Sequence, residues 1–165
     1  MSIDIPALID AAGGEIVGKI RLQKMVYLLD QLGVQSGFSF DYHYYGPYSE
    51  ELAEAVDDDV IIGGIEEEQR RRVSDGVSYV IYRSLDHREQ ASDVFSQPAI
   101  AAAIEEMNGQ SMTILELAAT IHWLAFKEKV RNWREELTRR KGIKTAGGRT
   151  ERAMELLEKL KLSPA

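Results

Sequence analysis

Cysteine is absent from this chain of 165 residues, which excludes a disulfide framework, a thiol nucleophile, an iron–sulfur cluster and a cysteine-based zinc site. Proline is scarce, with 4 residues, and glycine moderate, with 13, so collagen-like and low-complexity classes fall away. No apolar run approaches the roughly 20 residues of a membrane-spanning helix. The opening stretch MSIDIPALID carries acids where a secretory signal needs a basic start. The expectation is a cytoplasmic protein with no membrane partner. Internal repeats are missing as well. What is present, 44% apolar and 28% charged residues, is the composition of one globular domain over 1–165 that buries roughly 70% of its unfolded surface.

Basic residues are few over most of the length. Residues 1–126 hold 8 Lys/Arg against 21 Asp/Glu, a charge of −13, whereas residues 127–165 hold 12 against 6, a charge of +6. Nucleic-acid binding draws its nonspecific strength from neutralised phosphates, so a body this acidic repels a duplex unless the tail alone faces it. Self-complementarity is the simpler expectation. The basic C-terminal helical segment, 127–165, packs on the acidic body of its own fold, or on that of a second subunit in a homodimer.

Apolar spacing predicts a short helix over Ile3 to Ala12, stopped by Gly13 and Gly14, residues that each cost a helix about 1 kcal/mol. Leu22, Met25, Val26, Leu29 and Leu32 recur at helical steps before Gly33, which predicts a core helix from Ile20 to Leu32. Phe38 to Tyr45 alternates aromatic and polar residues, a strand with one aromatic face inward that Gly46 and Pro47 break. Ser49, Glu50 and Glu51 then open a helix that runs past Leu52 and Val56 to Gly63 and Gly64. Ile65 to Val73 and Val77 to Arg83 form a hairpin around Ser74, Asp75 and Gly76, and charges on both faces of its first arm put that arm at a sheet edge. A polar connector over 84–95 contains His87. Ser96 caps a helix bearing Ile100, Ala103, Ile104 and Met107. Thr113 and Glu116 fit a capping box at the start of the most apolar helix, which carries Ile114, Leu117, Ala118, Ile121, Leu124 and Ala125 and is expected to be central. Val130, Trp133 and Leu137 continue a helical spacing to Lys141, and Thr150 to Leu160 forms a last amphipathic helix. The fold class is α+β: a mostly helical single domain with a small antiparallel sheet, made of an aromatic strand plus a β-hairpin, and with winged-helix-like features.

The residues that carry chemistry are dispersed. Histidines 43, 87 and 122 lack ligand spacing, and His122 beside Trp123 is expected in or near the core. Asp57, Asp58 and Asp59 point about 100° apart on a helix and cannot converge on one ion. The glycine-containing stretches at 13–19 and 146–150 match neither phosphate-loop spacing. No nucleophile is paired to a base, so the expectation is no enzyme, no catalytic residue, no metal and no cofactor. A winged-helix DNA-binding regulator is the alternative. It would use Arg70, Arg71 and Arg72 on the hairpin and Arg139, Arg140 and Lys141 in the tail. Against it, Glu66, Glu67 and Glu68 cancel the hairpin arginines, the candidate recognition helix has no Lys or Arg, and a strand separates the two helices where a short turn is needed.

Two stretches in combination are distinctive: Arg21-Leu22-Gln23-Lys24-Met25-Val26-Tyr27-Leu28-Leu29, and Tyr44-Tyr45-Gly46-Pro47-Tyr48-Ser49 followed by Glu51-Leu52. Together they resemble the YwgA-like uncharacterised proteins of prokaryotes and, more distantly, the Panacea domain of SocA-type antitoxins. Leu115 to Ile121 and the Ala153 to Leu162 helix extend the YwgA-like similarity almost to the C-terminus. The chain departs from the Panacea pattern at Tyr42 to Tyr45, where tyrosines replace tryptophan-containing text. Panacea domains hold diverse toxins, and SocA-type members act as protease adaptors, so the resemblance implies protein binding rather than catalysis. Physically, Gly46 and Pro47 turn the chain into a helix start beside two tyrosines, and aromatic residues make frequent interface anchors. Tyr45, Gly46, Pro47, Tyr48 and Glu51 are therefore the candidate protein-interaction residues, and Tyr27, Tyr44 and Tyr48 as core aromatics are the competing expectation. Lys24, one turn from Tyr27 and Leu28, is read as pairing with an acid across the fold or lying exposed. A non-catalytic, antitoxin-like or adaptor-like module with a basic, toxin-like protein partner is the resulting expectation.

Overall fold

A computed structural model describes residues 2–85 and 93–164, and it is α+β. In chain order the elements are α1 (Ile5–Ala11), β1 (Glu15–Val17), α2 (Lys19–Gln31), β2 (Asp41–His43), β3 (Gly46–Tyr48), α3 (Glu50–Ile61), β4 (Ile65–Arg71), β5 (Ser78–Ser84), α4 (Asp93–Ser96), α5 (Pro98–Asn108), α6 (Met112–His122), α7 (Trp133–Lys141) and α8 (Arg149–Lys159). A π-helical turn, Trp123–Lys127, continues α6, and a 3-10 turn, Gly142–Thr145, follows α7. The strands form an antiparallel sheet in the order β1-β5-β4 and a separate hairpin, β2-β3. No helix among the described residues is long and apolar enough to cross a membrane.

The core is built on two helices whose sequences explain their burial. In α2 every residue from Leu22 to Leu29 is buried, including Gln23 and Lys24. In α6 every residue from Ile114 to His122 is buried, including Glu116 and Thr120. These helices pack together, β3 lies against both, and α8 covers the far side of α6 through Ala153, Leu156 and Leu157. Leu137 of α7 is fully buried in the same core, so apolar residues of the basic tail are part of it.

Several expectations are corrected. Gly46 and Pro47 do not end a strand; with Tyr48 they are one. Asp41, Tyr42 and His43 pair with Tyr48, Pro47 and Gly46, which leaves Tyr44 and Tyr45 as a two-residue turn. Every second pair of an antiparallel ladder is not hydrogen-bonded, so a proline in the middle of three pairs costs no bond to the partner strand. The expected strand from Phe38 shortens to Asp41–His43. Strand β1 was not anticipated, because three residues carry too little alternation to show. Ser111, not Thr113, caps α6 by accepting from the Ile114 N–H at 3.2 Å. Gln97 holds the N-cap of α5 in place of Ser96, since Pro98 is preorganised for the first helical position. Helix α7 begins at Trp133, and Val130 lies outside it, ahead of the turn at 131–132. Arg72 and Val77 close the loop of the long hairpin, with β4 at the sheet edge as its charges require. The polar connector with His87 falls mostly outside the described residues.

Candidate functional site

The two distinctive stretches meet. Gln23 of α2 makes a reciprocal pair with Ser49, its Nε2 donating to the Ser49 carbonyl and its Oε1 accepting from the Ser49 N–H, each at 2.9 Å. The side-chain amide thus substitutes for a ladder partner. One residue on, Lys24 is fully buried and its Nζ donates to the Pro47 carbonyl at 2.5 Å. Ser49 in turn caps α3, its Oγ accepting from the Leu52 N–H at 3.1 Å. The Leu-Gln-Lys segment is therefore the clamp, and the Tyr-Gly-Pro-Tyr-Ser segment the part that is clamped.

From the other side, α6 and the tail close on the same hairpin. The Lys141 Nζ donates to the Tyr44 carbonyl at 3.3 Å and lies 3.1 Å from Glu116 Oε2. Lys144 reaches both carboxylate oxygens of Glu116 at 3.1 Å. Gly46 presses on α6, and a Cβ placed there would lie 2.5 Å from Thr120 Oγ1 at a φ of +93°, a conformation open mainly to glycine. Glu116, first read as a capping residue, is instead the buried counter-charge of the site. A charge set between Leu115 and Leu117 in the most apolar helix was the signal for this, since an ion in such a place needs a partner.

Burial sets the ionisation of the site. Lys24 is lowered to about 7, chiefly by desolvation, with Glu116 opposing the shift and Lys141 and Lys144 adding to it. The amine adds no exposed surface and is committed to Pro47, so it serves as a structural donor. His122 is pushed down to about 4 by burial and by Lys127. Its Nδ1 shares a 2.8 Å hydrogen bond with the hydroxyl of Tyr27, whose ionisation burial pushes up. Rings continue outward from this pair, with Tyr27 against Trp123 and Trp123 against Tyr42. Tyr42 lies under the Arg140 guanidinium at 4.7 Å.

What this footing presents is a pair of tyrosines. Tyr44 is 90% exposed and Tyr45 45% exposed, the latter with the Lys144 ammonium 5.0 Å from its ring. Of the other candidate interaction residues, Gly46 and Pro47 are buried and Tyr48 is half-buried. Glu51 is exposed and accepts from the Ser39 N–H. Tyr45 and Tyr48 also wall a cleft of about 480 Å³, shared with Lys19, Lys24, Tyr79 and Met112.

The candidate nucleic-acid residues are scattered and mostly engaged. Arg70 pairs with Glu68 and Arg72 with Asp75 on the long hairpin. Arg139 pairs with Glu136, Arg140 with Glu128 and Glu136, and Lys141 with Glu116. Arg71 is exposed at the end of β4. His43 is exposed beside the Tyr48 ring, apart from His122. Among the described residues, no group of three His, Asp or Glu is placed to hold a metal ion.

Fold and site together define an α+β domain organised around a helix-clamped tyrosine turn. No family model matches the chain. Over 157 residues it is 27% identical to the uncharacterized protein YwgA of Bacillus subtilis (strain 168), a similarity covering 90% of this chain and 89% of that protein. The YwgA-like resemblance is thereby borne out along nearly the whole length.

Proposed function

We propose that this chain is a non-catalytic protein-interaction module, antitoxin-like or adaptor-like in its mode of action, that docks a partner on the Tyr44-Tyr45 turn and the adjoining start of α3. One observation carries the proposal: a largely exposed and a half-exposed tyrosine ring stand on a backbone held from beneath by buried side chains of α2, α6 and α7. Exposing aromatic surface while fixing its backbone lowers the ordering cost of association, which is how rigid aromatic anchors gain affinity. Next to the turn, Glu50, Glu51, Glu54, Asp57 and Asp58 of α3 are exposed, and this acidic face complements a basic, toxin-like partner.

The test compares proteins retained from the native host by the wild type and by a Tyr44→Ala, Tyr45→Ala variant. Both side chains are exposed, so the variant keeps its circular dichroism spectrum and melting temperature while losing a basic partner. Identical retained sets from the two proteins would refute the proposal.

A further inference from the structure

The sheet has a gap on one side. Strand β5 pairs with β4 from Ser78 to Ser84, whereas β1 pairs with it only from Ile81 to Arg83. One further bond, from the Gly18 N–H to the Val80 carbonyl at 2.8 Å, extends that side before the chain turns into α2. Ladder alternation fixes which groups are left over. The Arg72 N–H donates to the Val77 carbonyl, so Val77, Tyr79 and Ile81 turn their backbone groups toward β4, and Ser78 and Val80 turn theirs to the opposite edge. Among the described residues, no backbone partner on that edge lies beyond Gly18. Gly18 stands opposite the buried Val80, so the Ser78 N–H and carbonyl are the groups left open, and Ser78 is exposed.

This open edge borders the cleft walled by Tyr45, Tyr48 and Met112. The exposed charged residue of its lining is Lys19, Lys24 being buried on Pro47, although the first 126 residues carry −13. Unpaired strand groups beside apolar pockets recognise an extended peptide, the backbone supplying affinity and alternate side chains supplying selectivity. The local charge selects an acidic one. We propose that β5 accepts, at Ser78, an extended segment of a partner protein as an added strand in line with β1, with apolar side chains toward Tyr45, Tyr48 and Met112 and a carboxylate toward Lys19.

Strand addition presupposes the protein-binding role proposed above, but its hydrogen bonds come from the β5 backbone, and it shares with that role only the Tyr45 ring, which also walls the cleft. The probe is a display library of short random peptides selected on the full chain, followed by synthesis of the enriched sequence. The expected sequence alternates apolar and acidic residues. Its binding slows amide exchange at Ser78, and it weakens by about tenfold or more with Ser78→Pro, which removes one edge donor at the first position of the strand. N-methylation of alternate peptide amides gives the same loss without altering the protein, which covers the case of a misfolded variant. Lys19→Glu weakens binding and flattens its salt dependence. Absence of enrichment over the bare support, equal binding to Ser78→Pro and to the wild type, or exchange protection elsewhere would overturn strand addition. A dimer of this chain that Ser78→Pro dissolves would overturn it in favour of a second copy. A host partner lost by the Tyr44→Ala, Tyr45→Ala variant but retained by Ser78→Pro would leave the interaction module standing and remove the added strand.

Discussion

The two hairpins of this domain hold their shape by opposite means. The long one, β4–β5, has seven cross-strand pairs and surface ion pairs such as Arg70 with Glu68 and Arg83 with Glu66, and it ends in a solvent-exposed loop at Val73. The short one, β2–β3, has three pairs, too few for a two-stranded ribbon to persist alone in water. Its order is borrowed from Gln23, Lys24, Lys141 and Thr120 beneath it. A hairpin that carries its own ladder can lose any one surface contact cheaply. One that is clamped depends on a few buried groups, and its exposed rings inherit the rigidity of the core.

The clearest way to break the contrast is Glu116→Gln. It leaves Lys141 buried with its counter-charge gone, and removal of one partner of a buried ion pair costs about 3 to 5 kcal/mol. Urea denaturation should show that loss, together with faster amide exchange over 41–48 than over 65–84.

Acid attacks the same footing more gradually. Burial lowers His122 to about 4 in the fold from its ordinary value of 6.5, so the fold disfavours its protonation. Stability is fully present above about pH 6.5, falls as pH drops toward 4, and the loss approaches about 3 kcal/mol. Denaturation midpoints across this range should follow that slope, and His122→Gln should flatten it.

Gly46→Ala forces a Cβ toward Thr120 Oγ1 at positive φ. A cost of about 2 kcal/mol is expected, with Thr120→Ala restoring part of it in a double-mutant cycle. On the long hairpin, Arg70→Ala removes a half-exposed ion pair and should leave the denaturation midpoint nearly unchanged. If that surface change proved as damaging as Glu116→Gln, the contrast between the hairpins would collapse.

Much of this architecture was legible in the residues themselves. The helices of the core follow from the spacing of Leu22, Met25, Val26 and Leu29 and from the apolar run after Ser111. The edge position of β4 follows from charges on both its faces. The clamp was harder to see because its two halves are 23 residues apart, and each half satisfies a plainer local pattern. Lys24 reads as a surface lysine on an amphipathic helix, Glu116 as a capping residue, and Gly46-Pro47 as a break. The meaning of each appears only when the topology brings α2, α6 and β3 together, and short-range periodicity carries no information about such a meeting. Strand β1 escaped for the opposite reason: three residues are too short to display a period, and their role is fixed by the partner strand.

The π-helical turn after α6 has a practical consequence. It carries Trp123, one of two tryptophans in the chain, to a ring spacing of 6.3 Å from Tyr42 of the clamped hairpin. The indole N–H donates to Glu128 at 3.0 Å, and Glu128 also holds the Arg140 that covers Tyr42. The molecule thus contains its own optical gauge. With Trp133 replaced by phenylalanine, the colour and lifetime of the remaining indole emission would register every lift of the tyrosine turn from its seat, without any attached dye.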